Sequence, residues 1–361
     1  MNKIKNYQLI ATILTFGLII FSIYLVYDAS SVWAKYKYND EFFYLKRQTI
    51  YAIIAIIFFV IGTRINLLKY KRFFLPALVF CNLLLVLVLI PGIGINKGGS
   101  SSWLGFSFFS FQPSELYKIC LIIYISHYLS ENFYHTKSIK IFLPLILIMV
   151  IGAVMIMLQP DFGTLVVTFS AVIIIFFISK LPLRYFIGGG GIIVALAVIM
   201  IISEPYRMQR IVSFVDPFQD PLGSGFQIIQ SMFALGPGGL MGEGINASIQ
   251  KYYYLPEPQT DFIFCIAVEE LGFIGGLIII IVYFALFYYL YKISKFKNQQ
   301  FNYLLSIGLI SLIAVQVIIN LGVVTALFPV TGITLPFLSY GGSSLISLSF
   351  AVGLIIGGKN T

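Results

Sequence analysis

Apolar residues fall into long runs along this chain, and polar residues gather in the intervals between them. A helix of about 20 apolar residues spans the hydrocarbon core of a bilayer. Ten runs approach that length, at roughly 7–27, 49–63, 73–90, 114–130, 141–158, 163–179, 185–202, 262–291, 303–327 and 337–357. The second is the shortest. The pattern predicts an all-α polytopic membrane protein, a single domain over 1–361 with about ten transmembrane helices.

Composition agrees. Hydrophobic residues make up 59% of the chain and charged residues 10%, against about 25% charged in soluble domains. A soluble globular protein is excluded. The 23 Tyr and 34 Phe are enough to supply interfacial belts. The basic start "MNKIKNYQ" leads into an apolar run too long for a signal-peptide core, with no small-residue cleavage site, so it reads as the first span. Cys81, Cys120 and Cys265 fall within predicted spans and read as small buried hydrophobes.

Charge sets the orientation. With the N-terminus inside, cytoplasmic segments hold fourteen of the 23 basic residues and one acid, Glu131. By the positive-inside rule both termini are cytoplasmic. The net charge of +9 is then a topology signal and gives no support to nucleic-acid binding. The one long connection, about 203–261 between spans seven and eight, is extracytoplasmic. Cytoplasmic loops are too short to house a nucleotide-binding domain, and no GxxxxGK[ST] motif is present. Chemistry is therefore expected on the outer face.

Four polar constellations interrupt the apolar pattern. "YLPEPQTDFIFCIAVEELG", Tyr254 to Gly272, gathers Glu257, Asp261, Glu269 and Glu270 in a chain with only 14 acids. Asp261 reads either as an N-cap carboxylate on the helix that follows or as a general base at the membrane surface; Thr260 is the other candidate cap. Glu269 and Glu270 lie two turns deeper, where acids normally face a cavity or a partner. "SFQPSELYKI" places Glu115 and Lys118 at i,i+3 on one helix face, either a salt bridge or the wall of a polar cavity.

The long outer loop offers Arg207 and Arg210 as phosphate ligands. It also holds an interfacial helix in "SGFQIIQSMFAL" and a turn-rich "GPGGLMGEG", whose N–H groups could reach an anion. "FPVTGITLPFLSYGGSS" predicts irregular backbone at membrane depth. The run Gly188 to Gly191 reads as close helix packing. Asp161, in "MLQPDFGTL", reads as a turn acid, and Lys97, in the loop before Trp103, as a solvated charge or a headgroup ligand.

These motifs together resemble the SEDS family, the shape, elongation, division and sporulation proteins of bacteria. The likeness runs from "VYDASSVWA" and "FFYLKRQ" through "FSFQPSELYK", "QPDFGT" and "YRMQRIVSFVDPFQDPLGSGFQIIQS" to "LPEPQTDFIFCIAVEELGFIG" and "PVTGITLPFLSYGGSS". "ASSVWA", "KRQ" and the last motif look more like the division and sporulation branch, FtsW and SpoVE, than the RodA branch.

The resemblance implies a multi-pass enzyme of the bacterial plasma membrane that polymerises lipid II, a disaccharide-peptide on undecaprenyl pyrophosphate. It puts the essential acid on Asp261 and the charge pair of the fourth span on Glu115 and Lys118. The expected substrate-binding positions are Lys97, Gln112, Ser114, Glu115, Lys118 and Asp161, then Arg207, Arg210 and Lys251, then Glu257, Gln259 and Thr260, and finally Ser339 and Ser343. A class B penicillin-binding protein is the implied partner, and a divalent cation such as Mg or Mn a candidate cofactor with no ligands assigned. One departure stands out. The family pattern has arginine shortly before the tryptophan, and this chain reads "GGSSSW" with Ser101 there. If that arginine binds pyrophosphate, Lys97, Arg207 or Arg210 must compensate. Two rival readings remain: a lipid flippase, although no internal repeat is visible, and a silent scaffold for a transpeptidase.

Overall fold

In a computed structural model of the chain, residues 2–97, 100–106, 109–133, 138–202, 205–252 and 255–357 are described. Each predicted apolar run holds a helix. In chain order these are α1 (Asn2–Tyr38), α2 (Phe43–Arg64), α3 (Phe74–Val88), α4 (Pro113–Glu131), α5 (Leu143–Leu158), α6 (Phe162–Ile178) and α7 (Leu183–Ile202). Two short helices follow in the long loop, α8 (Pro205–Val215) and α9 (Phe226–Leu235). The series closes with α10 (Ile263–Ser294), α11 (Gln300–Val324) and α12 (Gly342–Gly357). Among the described residues, five stretches are long and apolar enough to cross a membrane: Lys3–Tyr38, Phe43–Arg64, Leu67–Val88, Ile263–Ser294 and Gln300–Val324. The chain is a mostly helical, multi-pass membrane protein.

Local signals set the helix ends. Pro113 occupies the first turn of α4, where its missing N–H costs nothing. Asp161 caps α6 by accepting from the Thr164 N–H at 3.1 Å. α11 lies at the centre, against α4, α6 and α10, and buries Leu309, Leu312 and Ile313 completely. Large apolar side chains such as Ile20, Leu83 and Leu147 face outward instead. In a membrane protein such a surface meets lipid.

α2 and α12 approach through glycine. A β-carbon on Gly353 would stand 2.3 Å from the Phe59 carbonyl oxygen, and one on Gly62 would stand 2.6 Å from that of Phe350. Backbones this close pack tightly without hydrophobic drive from water.

The structure corrects the expectations in four places. The all-α class omits a three-stranded antiparallel sheet, β1 (Ile95–Lys97), β2 (Ser100–Phe106) and β3 (Phe109–Phe111). Ile95 pairs with Trp103, and Leu104 with Phe111. Short β-prone runs separated by glycine and serine pair locally here. Second, Gly188 to Gly191 serve no close approach, since a β-carbon on any of them would meet nothing within 4 Å.

Third, α10 is broken. Gly272 has φ 71° and ψ −175°, and the segment 239–244 bonds into the gap. The N–H groups of Glu243 and Gly244 donate to the carbonyls of Glu269 and Glu270, and those of Phe273 and Ile274 donate to Gly239 and Leu240. Backbone groups freed by the break are thereby satisfied. Fourth, the turn-rich "GPGGLMGEG" spends these N–H groups on α10 and presents no anion cradle with them.

Candidate active site

A cavity of about 530 Å³ opens where α1 ends and α2, α4, α6, α10 and α12 begin. Several helix N-termini converge there, and their partial positive charge favours anions. Glu115, Lys118, Asp161, Arg210, Glu257, Gln259, Thr260 and Asp261 all line it, together with Gln112. Residues far apart in sequence meet in this space, as Lys37 and Ser344 do.

Asp261 immediately precedes the first residue flanking α10, yet it does not cap the helix. Phe262 holds the cap position, with no side-chain hydrogen bond. Thr260 does not cap either, because its hydroxyl donates to the Glu257 carbonyl at 2.8 Å. The Asp261 backbone is fixed instead by Asn320, whose side-chain amide donates to its carbonyl at 2.8 Å and to that of Ile333 at 2.7 Å. Gly332 lies beside the carboxylate, with φ 74°, and a β-carbon there would stand 3.8 Å from Oδ2. A left-handed turn without a side chain leaves that approach open. Burial pushes the Asp261 pKa up to about 7; negative charge on Glu257 and Asp161 adds to the rise and Arg210 opposes it.

A second carboxylate, Asp161, accepts from the Gln112 side chain at 3.0 Å besides capping α6. Burial raises its pKa against the hydrogen bonds from Thr164, which lower it. Deeper on α4, Lys118 Nζ lies 2.8 Å from Glu115 Oε1 and 3.4 Å from Gln316 Oε1. Ser347 donates to the other Glu115 oxygen at 3.0 Å. The pair is thus both an ion pair and part of a cavity wall, which unites the two readings of its spacing. Arg210 Nη1 donates to the Val330 carbonyl at 2.7 Å and ties α8 to the loop before α12.

Other expected positions lie away from the cavity lining. Lys251 is buried, and its Nζ contacts Asp28 Oδ1 at 2.8 Å, Asn246 Oδ1 at 2.8 Å and Glu270 Oε1 at 2.9 Å. Burial would lower its pKa, but the hydrogen bonds it donates to Asp28 and Glu270 outweigh that and raise it. Glu269 accepts from the N–H groups of Ile249 and Gln250 and from the Ser248 hydroxyl. Lys251, Glu269 and Glu270 therefore clamp the loop that mends α10. Ser339 accepts from the Leu335 N–H at 2.8 Å, and Ser343 accepts from the Gln112 N–H at 3.1 Å, so both brace backbone. Ser114 is buried on α4 outside the lining. The side chains of Lys97 and Arg207 lie outside the described residues, although their backbones are in β1 and α8.

Sequence reasoning missed several lining residues. Lys37, Tyr44, Arg47, Trp103 and Tyr340 border the cavity, as does Gln316. The signal for Gln316 was present: it and Asn320 are amides four residues apart on one face of α11, the kind of polar pair that marks an intramembrane site.

Among the described residues no three His, Cys, Asp or Glu side chains converge as a metal-binding set. The donor set does not fit a cation held by protein ligands alone.

Comparison with known proteins gives the family. The FtsW/RodA/SpoVE family, described as cell cycle proteins, matches residues 8–358. Stage V sporulation protein E of Bacillus subtilis is 45% identical over 350 residues, covering 97% of this chain and 96% of that protein. The protein named probable peptidoglycan glycosyltransferase FtsW of Trichlorobacter lovleyi is 38% identical over 355 residues, covering 98% and 93%. Among solved structures, a chain from a peptidoglycan synthase complex that coordinates polymerisation and crosslinking superposes with a TM-score of 0.78. It is 27% identical, with 96% of each chain covered. The rod shape determining protein RodA of Thermus thermophilus shares the fold at a TM-score of 0.68 and 24% identity, covering 96% of this chain and 94% of that one. With a family match over almost its whole length and close relatives over nearly all of theirs, this chain belongs to the FtsW/RodA/SpoVE family, the SEDS proteins.

Proposed function

We propose that the chain is a peptidoglycan glycosyltransferase that polymerises lipid II at the outer face of the bacterial plasma membrane, in division or sporulation. The observation that carries this reading is Asp261, a carboxylate facing a polar cavity with its pKa pushed up to about 7. A base with a pKa near the working pH accepts a proton efficiently while enough of it remains ionised. The relatives named glycosyltransferases supply the reaction class.

The acceptor hydroxyl attacks the anomeric carbon of the donor sugar and gives its proton to Asp261. The bond from that carbon to the pyrophosphate oxygen breaks, and its electron pair leaves with the lipid pyrophosphate. Attack opposite the leaving group inverts the centre, so an α-linked donor gives a β-linked glycan. Pyrophosphate leaves readily and needs charge neutralisation more than a proton, which cations and helix N-termini at the cavity supply. No step here runs through a metal ion.

In this reading the ten helices that match the apolar runs cross the membrane, both termini are cytoplasmic, and the segment 203–261 is extracytoplasmic. The distribution of basic residues supports that orientation. A class B penicillin-binding protein is the proposed partner, since crosslinking must follow polymerisation and the chain resembles a subunit of a synthase complex. Polymerisation by the reconstituted chain should rise when that partner binds.

Purified chain with labelled lipid II tests the proposal. Glycan polymer lost in Asp261→Asn supports it. Translocation without polymer identifies a flippase instead, and neither product, with or without the transpeptidase, identifies a scaffold.

A further inference from the structure

We infer that Lys251 is a positioning residue for the transfer step, fixing the α1 side of the cavity relative to Asp261 through its tie to Asp28; this rests on Asp261 being the base. α1 packs along α10, and the two run antiparallel. Near the start of α1 and the end of α10, the Tyr7 and Tyr289 rings meet at 5.8 Å. Further along, the Lys251 ammonium joins Asp28 Oδ1 on α1, at 2.8 Å, to Glu270 Oε1 on α10, at 2.9 Å. Nine positions beyond Asp28 stands Lys37, and nine positions before Glu270 stands Asp261, both lining the cavity. On α1 that step is about 13 Å of helix, and the helical 263–270 on α10 spans about 12 Å, at 1.5 Å per residue. The tie is therefore a rung set at one level beneath two facing walls.

One nitrogen meets three segments that lead to the cavity. Asp28 belongs to α1, Glu270 to α10, and Lys251 to the loop that runs into Asp261. The three side chains are 1–3% exposed, so water and salt screen the ion pairs little. Asn246 Oδ1 accepts the third hydrogen bond of the ammonium at 2.8 Å. All three donors of Lys251 are thus spent on holding protein and none on substrate. Asp28 Oδ2 is buried with no hydrogen-bond partner among the described residues, so α1 is attached to the rung through Oδ1.

Apolar side chains of similar volume would hold two helices together as firmly as a buried ion pair does. What the ion pair adds is a fixed register. Substrate is seated by the cavity walls, α1 among them, while its proton goes to Asp261 on the other side of the rung. A misplacement of about 1 Å between reacting groups costs on the order of 10²-fold in rate. Loosening the rung should therefore lower kcat and spare KM.

Asp28→Leu is the test, because it frees α1 while Lys251 stays paired with Glu270 and no charge is stranded. Asp28→Ala serves the same purpose if leucine does not fit. Asp28→Asn keeps an oxygen for Lys251 and is the conservative control. With the full chain in nanodiscs and lipid II as substrate, kcat should fall about 10–100-fold in Asp28→Leu while KM stays within about twofold. Asp28→Asn should keep kcat within about threefold of the parent chain. A second readout needs no turnover. Nitroxides on Tyr36→Cys of α1 and Tyr252→Cys beside Lys251, both exposed positions, report the distance across the rung once Cys81, Cys120 and Cys265 are replaced by alanine. The distance distribution should broaden in Asp28→Leu and not in Asp28→Asn. A lower melting temperature with normal kcat in Asp28→Leu overturns the proposal, as does a loss confined to KM, an equally low kcat in Asp28→Asn, or an unbroadened distance. If Asp261→Asn polymerises normally, the base reading fails, while broadening confined to Asp28→Leu still establishes the rung between α1 and α10.

Discussion

Asn320, on α11, donates its side-chain amide to the backbone carbonyl of Asp261 at 2.8 Å. The same amide bonds the Ile333 carbonyl at 2.7 Å, so one buried residue spaces the candidate base from the loop opposite it. Asn320→Leu keeps the bulk and removes both donors, at a cost of about 1–3 kcal/mol for each buried carbonyl left unpaired. The melting temperature should fall and kcat should fall more than KM rises. A lower melting temperature with normal kcat in the folded fraction would restrict Asn320 to a structural role.

Asp261→Asn preserves size and removes proton acceptance. Turnover should drop about 10²–10⁴-fold, as for loss of a general base, with little change in melting temperature because the side chain caps no helix. Near wild-type turnover would remove Asp261 from the mechanism.

The pH profile offers an independent check. A base must be ionised to act, so kcat/KM should rise with pH through an apparent pKa of about 7. Glu257 raises that pKa by its negative charge and Arg210 lowers it. Glu257→Gln should therefore move the limb to lower pH, and Arg210→Gln to higher pH. Shifts of the opposite sign would show that another group titrates.

Glu115→Gln and Lys118→Met each strand a buried charge, a penalty of roughly 3–5 kcal/mol. The exchange Glu115→Lys with Lys118→Glu should be milder than either, since the Ser347 hydroxyl and the Gln316 amide can reorient to the new charges. Thermal stability and glycan yield measure this. A swap as damaging as the single changes would indicate direct contact with substrate.

Gly353→Ala should destabilise the bundle by about 1–3 kcal/mol, because its β-carbon would meet the Phe59 carbonyl at 2.3 Å. Gly189→Ala, with nothing within 4 Å, should be neutral or slightly stabilising. Melting temperatures of the two variants in detergent decide between them.

The helices were legible because each apolar run is bounded by proline, charge or glycine, and Asp261 because its motif places an acid beside hydrocarbon. The break at Gly272 was not. It depends on the segment 239–244 returning to bond with α10, a contact that no local pattern encodes. The clamp made by Lys251, expected among the substrate-binding positions, was not legible for the same reason, since Asp28, 223 positions away, helps to bury it. Lys37 and Arg47 border the cavity because the end of α1 and the start of α2 meet there, a juxtaposition that the apolar pattern does not show.

The mended break in α10 also acts as a gauge. Ten residues, 262–271, separate Asp261 from Gly272, and the helical part, 263–271, spans about 13 Å at 1.5 Å per residue. That rod is gripped at its lower end by the clamped loop and at its upper end by Asn320. Neither end can slide independently, so the chemistry is held at one fixed height above the point where the longer half of α10 begins. A growing polymer would then be extended at constant elevation, and inserting or deleting a residue within 263–271 would rotate and displace Asp261 relative to the break at Gly272.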